Sequence, residues 1–432
     1  METMMSKRVK AMNTARMNII IETRMVLHSI GLVVRGSLKP GHFFRYLKRL
    51  LIFIQKMDGN KYVKLSTGVK INLYVPAFPS RAFFNATHKM LAFDTKMPAI
   101  TALISVTSAC RYDCEHCYQK LDRGKDVDLG LLLDAVKYFQ KHGVSFFNVE
   151  GGEPFLTFPR LKAVCEAIDD RSEVLINSTG ESMNEEKLLE LKRACNLVGV
   201  MFSLHTSDED KFNQFMRNDR AFKNLVTGIN ICHQHDVSVM FNTCLLRDAY
   251  YNGEFEKLLD RARELGGSLI QLIKPKSAGG WLLEGAEHFS KEDLEHIKKK
   301  VIRYNTHKEY RSYPFISAMI IDEDEQHFGC TAGGTDRFYL NAKGDLQACE
   351  FLNLSFGNIA EEPIEEIFQR MRKSFEKPGS NWLCEVYHKK IADKFREMDD
   401  ATLPLPFHTT NEIINTEDHG KVPDFYERVN KI

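Results

Sequence analysis

The sequence lacks an excess of charge of one sign, a long apolar run and an export signal. Its 59 basic and 58 acidic side chains leave a net charge of +1 over 432 residues, so no nucleic-acid partner held by overall positive charge is expected. No uncharged apolar run reaches the roughly 18 residues that a membrane-spanning helix needs. The N-terminus has no small-residue cleavage site, which predicts a cytoplasmic protein.

Cysteine is also scarce, with ten in the chain, which excludes a disulfide scaffold. Two groups stand out, a tight one of Cys110, Cys114 and Cys117 and a looser one of Cys330, Cys349 and Cys384. Thiols crowded together in a reducing cytosol are typical of metal ligands. The others are expected to be packed, reduced thiols: Cys165, Cys195, Cys232 and Cys244.

The chain up to Lys56 is basic, with 11 lysines or arginines against two acids. Apolar residues recur at helical spacing from Phe43 to Met57, which predicts an amphipathic basic helix with aromatic residues. Such a helix either packs its apolar face on the rest of the protein or lies in an anionic membrane interface. A short hairpin of Lys61–Leu65 with Val69–Tyr74 is predicted next.

From Thr101 to Pro275, strand-like apolar runs alternate with helical patterns. The strands are predicted at Leu103–Thr107, Ser145–Val149, Glu173–Asn177, Val198–Leu204, Val237–Thr243 and Ser268–Ile273. The strands start roughly 25 to 40 residues apart, the length of a β-α-β unit. This pattern predicts an α/β fold, a partial (β/α)6 barrel of TIM type, with its chemistry at the C-terminal ends of the strands.

Four regions are predicted. Residues 1–95 form the basic helical extension, 96–290 the partial barrel, 291–400 a small α+β domain and 401–432 a surface tail. The small domain contains a predicted hairpin of Arg337–Leu340 and Leu346–Cys349 that turns around Gly344. The tail is rich in proline, asparagine and charge, which favours a path over the surface.

The strongest chemical signal is Cys110-x3-Cys114-x2-Cys117, directly after the first predicted strand. Three thiolates in so short a loop can hold three irons of a [4Fe–4S] cube and leave the fourth iron open to a small molecule. The alternative is a structural zinc ion, which needs a fourth ligand of similar spacing. His116 is the nearby candidate, and it is tightly constrained between Cys114 and Cys117.

This motif, followed by Tyr118, resembles the signature of the radical S-adenosylmethionine (SAM) superfamily, and the resemblance covers residues 100–275. Glu150-Gly151-Gly152-Glu153-Pro154 is similar to the family's Gly-Gly-Glu-Pro segment, whose backbone receives the SAM amino group. Paired glycines let a backbone approach a ligand closely, and Glu153 adds a carboxylate near a cationic group. The resemblance implies a [4Fe–4S] cluster with SAM as the cofactors.

Further matches follow the later strands. Asn177 lies where the family contacts the cofactor ribose, and Ser203 ends the fourth strand. His205 stands where the family has aspartate, which is a departure from its pattern. Arg217 resembles an arginine that pairs with the SAM carboxylate; its alternative is a solvated arginine at a helix end. The SAM-binding residues implied by the resemblance are therefore Gly151, Gly152, Glu153, Asn177, Ser203 and Arg217.

The second cysteine group resembles the opening of the SPASM and twitch extensions, which bind auxiliary iron–sulfur clusters. Cys330 is followed by 13 residues, Gly344, four residues and Cys349, with Cys384 further on. The glycine permits a hairpin turn that returns the second thiol beside the first. Three candidate ligands imply one auxiliary cluster in the small C-terminal domain. Packing cysteines at these positions are the alternative.

The resemblance implies reductive cleavage of SAM to a 5′-deoxyadenosyl radical, which removes hydrogen from an unactivated C–H bond. A flavodoxin or ferredoxin is the implied electron donor. No catalytic side chain is assigned, because the radical arises at the cluster.

Two substrate classes are compatible with these features. The basic helix favours oxidation or bond formation on a hydrophobic, membrane-associated substrate (lipid or lipid-linked), with peripheral contact to anionic membrane. The alternative is a peptide or protein maturase. A different class of function also stays open, an iron–sulfur electron carrier or scaffold that does not cleave SAM.

Overall fold

Twelve β-strands and sixteen α-helices form the computed structural model, which describes residue 12 and residues 14–92 and 97–431. The strands are β1 (Val63–Lys64), β2 (Val69–Lys70), β3 (Thr101–Ser105), β4 (Phe146–Glu150), β5 (Glu173–Ser178), β6 (Leu197–Ser203), β7 (Val239–Cys244), β8 (Leu269–Ile273), β9 (Phe315–Ala318), β10 (Arg337–Leu340), β11 (Asp345–Gln347) and β12 (Ser355–Asn358). The helices are α1 (Thr14–Val34), α2 (Pro40–Lys56), α3 (Arg81–Ala92), α4 (Leu129–Lys141), α5 (Phe158–Ala167), α6 (Glu185–Ala194), α7 (Glu209–Met216), α8 (Ala221–Gln234), α9 (Glu254–Glu264), α10 (Lys291–Thr306), α11 (Met319–Asp322), α12 (Ile364–Ser374), α13 (Leu383–Val386), α14 (His388–Glu397), α15 (Phe407–Ile413) and α16 (Asp424–Asn430).

The central sheet has ten strands in the order β12-β11-β10-β3-β4-β5-β6-β7-β8-β9. Strands β10 and β3 to β9 are parallel, and β11 and β12 add an antiparallel extension. The six predicted strands are β3 to β8, so the partial barrel is confirmed. In the described part of the chain β9 and β10 do not pair with each other. We call this gap in the barrel the seam.

The sheet continues past the predicted domain boundary at residue 290. The hairpin predicted for the small domain is present as β10 and β11, but β10 also joins β3 in parallel. Strand β9 lies at the opposite edge of the sheet, where it pairs with β8. The predicted boundary between residues 95 and 96 lies outside the described residues. The division into four domains stays a prediction.

Strands and helices of the barrel follow from their local sequence. Strands β3, β4 and β8 are buried at every position, as parallel strands covered on both faces are. Helix α4 begins after Asp128, whose side chain accepts hydrogen bonds from the backbone N–H groups of Gly130 and Leu131. Such a cap satisfies donors that have no partner within the helix. The helices therefore cover the outer face of the barrel, and the C-terminal ends of the strands remain available to form the site.

The N-terminal ends of the strands are closed by residues 61–78, which we call the plug segment. Its buried Val63, Leu65, Leu73 and Ala77 share one apolar cluster with strand residues such as Phe146. The segment also carries Lys70, whose buried ammonium lies 3.8 Å from a Glu173 carboxylate oxygen. The predicted hairpin is confirmed in a shorter form, as β1 and β2. The barrel is thus filled at this end.

The N-terminal helices pack against the C-terminal helix. The apolar face of α2 contributes Leu50 and Phe53, and Met57 directly after the helix joins them, in a cluster that includes Phe425 and Val429 of α16. This corrects the expectation for residues 401–432. That segment is not a surface tail throughout, because its aromatic and aliphatic side chains are buried against the extension that precedes the barrel.

Helix α1 is long and apolar enough to cross a membrane, judged by length and composition alone, and it is the one such candidate among the described residues. This differs from the expectation of no spanning helix, which rested on the charged residues that interrupt the apolar run. Met17, Ile21 and Met25 of α1 are buried in the protein. A packed helix of a soluble protein passes the same test of length and composition.

Candidate active site

A pocket of about 340 Å³ lies at the C-terminal ends of the barrel strands, where parallel barrels carry their chemistry. We call it the strand-end pocket. Seven predicted site residues line it: Cys110, Cys114, Cys117, Gly151, Gly152, Asn177 and Ser203. Glu153 and Arg217 are not among the described residues that line it.

The three cysteines of the loop after β3 interact with one another. The pKa of Cys110 is raised to about 11, mainly by burial, with smaller contributions from the charges of Glu153 and Cys117. The pKa of Cys114 is raised to about 12, again mainly by burial, with repulsion from both other cysteines. All three thiols line one pocket, and thiolates gathered there need a compensating cation, which a bound iron cluster would supply. The donor set therefore fits a cluster.

A single metal ion fits less well. Across the part of the chain that the structure describes, no three histidine, cysteine or carboxylate side chains are placed to hold one ion. His116, the fourth ligand that zinc would require, packs its ring against His205 and Phe215, with centroid distances of 4.6 Å to each. The geometry favours the cluster over structural zinc.

The two glycines after β4 hold the cysteine loop in place. The Gly152 N–H donates to the Thr107 carbonyl at 2.8 Å. A Cβ at Gly151 would lie 2.5 Å from that same carbonyl oxygen, and one at Gly152 would overlap the Ala109 carbonyl. The glycines are required because two backbone segments meet here. Gly151 and Gly152 are thus needed for packing between these segments, in addition to the close approach of a ligand that the sequence predicts.

Glu153 lies beneath the pocket and is fully buried. Its carboxylate accepts hydrogen bonds from the Ser178 hydroxyl at 2.9 Å, the Thr179 N–H at 2.7 Å and the Thr179 hydroxyl at 2.6 Å. These bonds tie the end of β4 to the loop after β5. The structure therefore places Glu153 where it supports the pocket wall, and its contact with a cationic group stays a prediction.

Arg217 lies outside the pocket, at the C-terminal end of α7. Its guanidinium is 3.1 Å from a carboxylate oxygen of Asp113 and 3.6 Å from one of Glu115. Both acids belong to the cysteine loop. The arginine thus contacts the outer side of that loop, which is closer to the solvated alternative than to a contact with the SAM carboxylate.

Polar side chains inside the barrel form the floor of the pocket, and apart from Asn177 the sequence analysis did not assign them to the site. Glu150 accepts hydrogen bonds from Tyr118 Oη at 2.9 Å, Asn177 Nδ2 at 3.0 Å and Asn148 Nδ2 at 3.3 Å. Burial, and next the charge of Glu350, raise the pKa of Glu150 to about 8. An amide within an otherwise apolar predicted strand, such as Asn148, was the available signal.

Five polar atoms of residues that line the pocket are buried without a hydrogen-bond partner in the described residues. They are the Oδ1 atoms of Asn148 and Asn177, the Oε1 of Gln119, the Nδ1 of His116 and the Nε2 of His205. The Nδ1 of His205 accepts a hydrogen bond from the Cys244 backbone N–H at 3.1 Å. Burial lowers the pKa of His205 well below its usual value, so the ring is neutral and Nε2 carries its proton. The pocket thus presents acceptors and the Nε2 donor of His205 to a ligand.

The second cysteine group lies beside β10 and β11. Burial raises the pKa of Cys384 to about 12, and among neighbouring charges that of Cys330 raises it. Burial also raises the pKa of Cys349 well above its usual value, with a contribution from Cys384. The three thiols are therefore near neighbours. Gly344 has a φ of +97°, the left-handed conformation that the predicted hairpin turn requires.

The strand-end pocket and the second cysteine group share a wall. Lys276 lines the pocket, and its ammonium lies 3.1 Å from Glu385, the residue after Cys384. Glu350 also lines the pocket and accepts a hydrogen bond from the Cys349 thiol at 3.0 Å. One charged residue of each sign thus stands between the two sites.

Comparisons with known proteins agree with this arrangement. Residues 104–262 match the family described as the Radical SAM superfamily, and residues 330–398 match SPASM, an iron–sulfur cluster-binding domain. Domains of these two kinds bind a [4Fe–4S] cluster with SAM and auxiliary iron–sulfur clusters. The second match contains Cys330, Cys349 and Cys384.

Two curated relatives are similar to the chain. The AdoMet-dependent heme synthase of Methanosarcina barkeri is 24% identical over 331 residues, which are 69% of this chain and 90% of the relative. The S-adenosylmethionine-dependent nucleotide dehydratase of a Thermoplasmatales archaeon is 24% identical over 165 residues, 38% of this chain and 58% of that relative. Among solved structures, Streptococcus suis SuiB aligns with a TM-score of 0.52 at 15% identity, over 80% of this chain and 81% of SuiB. This likeness shows the fold.

Proposed function

We propose that this chain, which carries a radical SAM domain followed by a SPASM iron–sulfur domain, oxidises or forms a bond in a hydrophobic, membrane-associated substrate. When bound, the cluster and SAM supply a 5′-deoxyadenosyl radical that removes hydrogen from an unactivated C–H bond. The observation that carries the proposal is the strand-end pocket itself. It unites three cysteines, the glycine pair and unpartnered buried polar atoms.

The chain's own residues divide the work of binding. Cys110, Cys114 and Cys117 would hold the first cluster, and Cys330, Cys349 and Cys384 the auxiliary one. Within the pocket, Asn177, Ser203 and the Nε2 donor of His205 orient SAM. The buried floor around Glu150 excludes water, which would otherwise quench a radical.

The proposed role of the second cysteine group is electron transfer. A substrate in the strand-end pocket would lie next to the second cysteine group, because Lys276 and Glu350 form a wall that the two sites share. Cys330, Cys349 and Cys384 would hold an auxiliary cluster there, which would supply an electron acceptor for a substrate that is being oxidised. A flavodoxin or ferredoxin is the proposed donor to the first cluster.

The substrate class rests on the exposed side of α1 and α2, which we call the N-terminal surface. Six large apolar side chains are exposed on it: Ile19, Leu27, Ile30, Val34, Phe44 and Leu51. Exposed basic residues accompany them, including Arg24, Arg35, Lys39, Arg45 and Lys48. Apolar and basic groups together are typical of helices that rest on anionic membrane. A peptide maturase is the alternative, since one SuiB structure contains a precursor peptide.

Cleavage of SAM tests the chemistry. The full chain is reconstituted anaerobically with iron and sulfide, reduced with dithionite and incubated with SAM, and 5′-deoxyadenosine is quantified. We expect product from the wild type and only background from Cys114→Ala. Cys195→Ala is the matched control, because that thiol lies outside both cysteine groups, and it should retain the activity.

Spectroscopy of the same samples separates the outcomes. If the wild-type chain holds an intact first cluster and yet forms no 5′-deoxyadenosine, the proposal is wrong and an electron carrier is favoured. If Cys114→Ala forms product at the wild-type rate, the first cysteine group does not generate the radical.

A further inference from the structure

A second cavity, of about 230 Å³, lies at the seam of the barrel. Ser317 of β9 and Arg337 of β10 both line it, so it occupies the gap where the barrel fails to close. Helices of the extension and of the C-terminus cover it from outside. Its apolar wall is formed by Phe53, Met57, Val75, Met90, Ile100, Met319, Phe328 and Phe425. We call it the seam cavity.

One hydrogen-bonded pair stands between the seam cavity and the strand-end pocket. Tyr74 and Gln271 line both, and Gln271 Nε2 donates to Tyr74 Oη at 2.8 Å. Tyr74 belongs to the plug segment, and its ring packs edge-on to Phe146 with a centroid distance of 6.3 Å. A rotation of these two side chains would join the two spaces.

The two spaces differ in chemistry. The strand-end pocket is lined by amides and carboxylates such as Asn148, Asn242 and Glu150, which suit a polar group. The seam cavity also has charged groups, and two of them are partly paired within the protein, while the Nε atoms of Arg337 and Arg372 are buried without a hydrogen-bond partner in the described residues. Arg337 is paired with Glu323, and Asp322 accepts from Asn72 and Ser317, each at 3.3 Å. What remains for a ligand is mainly the apolar wall.

The apolar wall is continuous with the N-terminal surface through α2. Phe53 of this helix and Met57, which directly follows it, line the cavity, while Phe44 and Leu51 are exposed on the outer side of the helix. An aliphatic chain resting on the outer side would therefore need to move only along one helix to reach the seam.

We propose that the seam cavity binds a linear aliphatic chain, the apolar part of a substrate whose polar part occupies the strand-end pocket. This inference rests on the proposed function for the position of the reacting group. It adds a binding site for hydrocarbon and assigns Tyr74 and Gln271 to the passage between the two spaces. Acyl and prenyl chains share the required chemistry.

Binding of radiolabelled dodecanol to the reconstituted full chain tests the inference. We expect saturable binding that Met57→Trp weakens by about tenfold or more, because the indole fills the cavity. Leu131→Trp is the matched control and should bind as the wild type does, because Leu131 is exposed on α4 and does not line the cavity. Met90→Trp enters the cavity from α3 and provides a second test if Met57→Trp misfolds.

A dodecyl diazirine then locates the chain by photolabelling and peptide mapping. Labels near Met57 and Phe425 support the seam cavity. Labels confined to Phe44 and Leu51 overturn the inference, as does dodecanol binding that neither tryptophan variant weakens. Assays of 5′-deoxyadenosine on the same variants separate the two proposals. If the protein cleaves SAM but does not bind dodecanol, the seam site is wrong and the proposed chemistry stands. If it binds dodecanol but does not cleave SAM, the proposed chemistry is wrong.

Discussion

The unpartnered atoms of the strand-end pocket define the ligand that it accepts. Buried polar groups cost free energy unless they are hydrogen-bonded. The Oδ1 atoms of Asn148 and Asn177 need donors, and the Nε2 of His205 needs an acceptor. A ligand with amine or hydroxyl donors and an oxygen acceptor meets these demands. SAM has all three in its amino acid and ribose groups.

His205 gives the first prediction at this scale. We expect His205→Phe to weaken SAM binding by about tenfold, because the Nε2 donor is lost together with the Nδ1 acceptor of the Cys244 N–H, while an aromatic ring of similar size remains. His205→Gln, whose side-chain amide can still donate, should bind SAM more tightly than His205→Phe. Equilibrium dialysis of the reconstituted protein with labelled SAM measures both affinities.

The result must be separated from a structural effect. His233 serves as the control, because its ring contacts the Leu265 carbonyl and lies outside the pocket. His233→Phe should leave SAM affinity unchanged. Equal affinities for His205→Phe and the wild type would show that the donor faces no cofactor oxygen.

Single residues also show where sequence reasoning stops. The positions of the cysteines and glycines follow from spacing after predicted strands, and the structure gathers them into one pocket. Glu153 and Arg217 have the expected residue types, but their partners come from distant loops, Thr179 and Asp113. These contacts depend on how distant loops pack against each other, and residue spacing along the chain does not predict such packing.

At the scale of elements, the plug segment explains why the barrel is closed at one end. Lys70 donates to the carbonyls of Leu73 at 2.8 Å and Val75 at 2.6 Å, and it faces Glu173. That carboxylate in turn accepts from the Ala77 N–H at 2.9 Å. One buried ion pair thus fixes both the shape of the segment and its place on β5.

Lys70→Met should destabilise the protein by about 3–5 kcal/mol, since it leaves the Glu173 carboxylate buried without its cation. The double variant Lys70→Met/Glu173→Gln should recover a large part of that loss, because no unpaired charge remains. Arg81→Met is the control. Its exposed pair with Asp170, at 2.7 Å, should contribute about 1 kcal/mol or less. Urea unfolding followed by circular dichroism measures all three.

The same pair gives the protein a pH dependence. Burial lowers the pKa of Lys70 from 10.5 to about 8, against the opposing effect of Glu173. Between these two values the unfolded chain binds more protons than the folded chain, so stability rises with pH over this window. Lys70→Met should lose that rise. If the stability of the wild type and of the variant rises equally with pH, titratable groups other than Lys70 cause the rise.

The helices and strands of the barrel could be predicted because each carries its own apolar pattern, and some helices also carry a cap, as α4 does with Asp128. The plug segment, β9 and α16 could not. Their roles are set by distant partners, Phe146 for the plug, β8 for β9 and Phe53 for α16. A segment rich in proline and charge, such as 401–432, is typical of surface chain until something apolar is available to cover its few aromatic residues.

At the scale of the whole molecule, the proposed substrate would pass from the N-terminal surface through the seam cavity to the strand-end pocket, once the Tyr74–Gln271 pair between the two spaces has moved. The auxiliary cysteines lie beyond the far wall of that pocket, behind Lys276 and Glu350. A membrane-associated substrate would enter by its chain and react at its polar end, next to a site that can remove an electron. This order requires that the N-terminal surface bind membrane.

Sedimentation with vesicles tests that requirement. Phe44→Glu/Leu51→Glu should reduce binding to phosphatidylglycerol vesicles by about a hundredfold, because two exposed apolar side chains lose their burial in the bilayer. Leu131→Glu is the control, since Leu131 is also exposed but lies on α4. Binding that high salt reverses indicates a peripheral contact carried by the basic residues, whereas protein that resists the wash would point to insertion of α1. If the wild type and the double variant sediment alike, the N-terminal surface does not contact membrane. A peptide substrate is then favoured, and this conclusion holds whether or not the protein cleaves SAM.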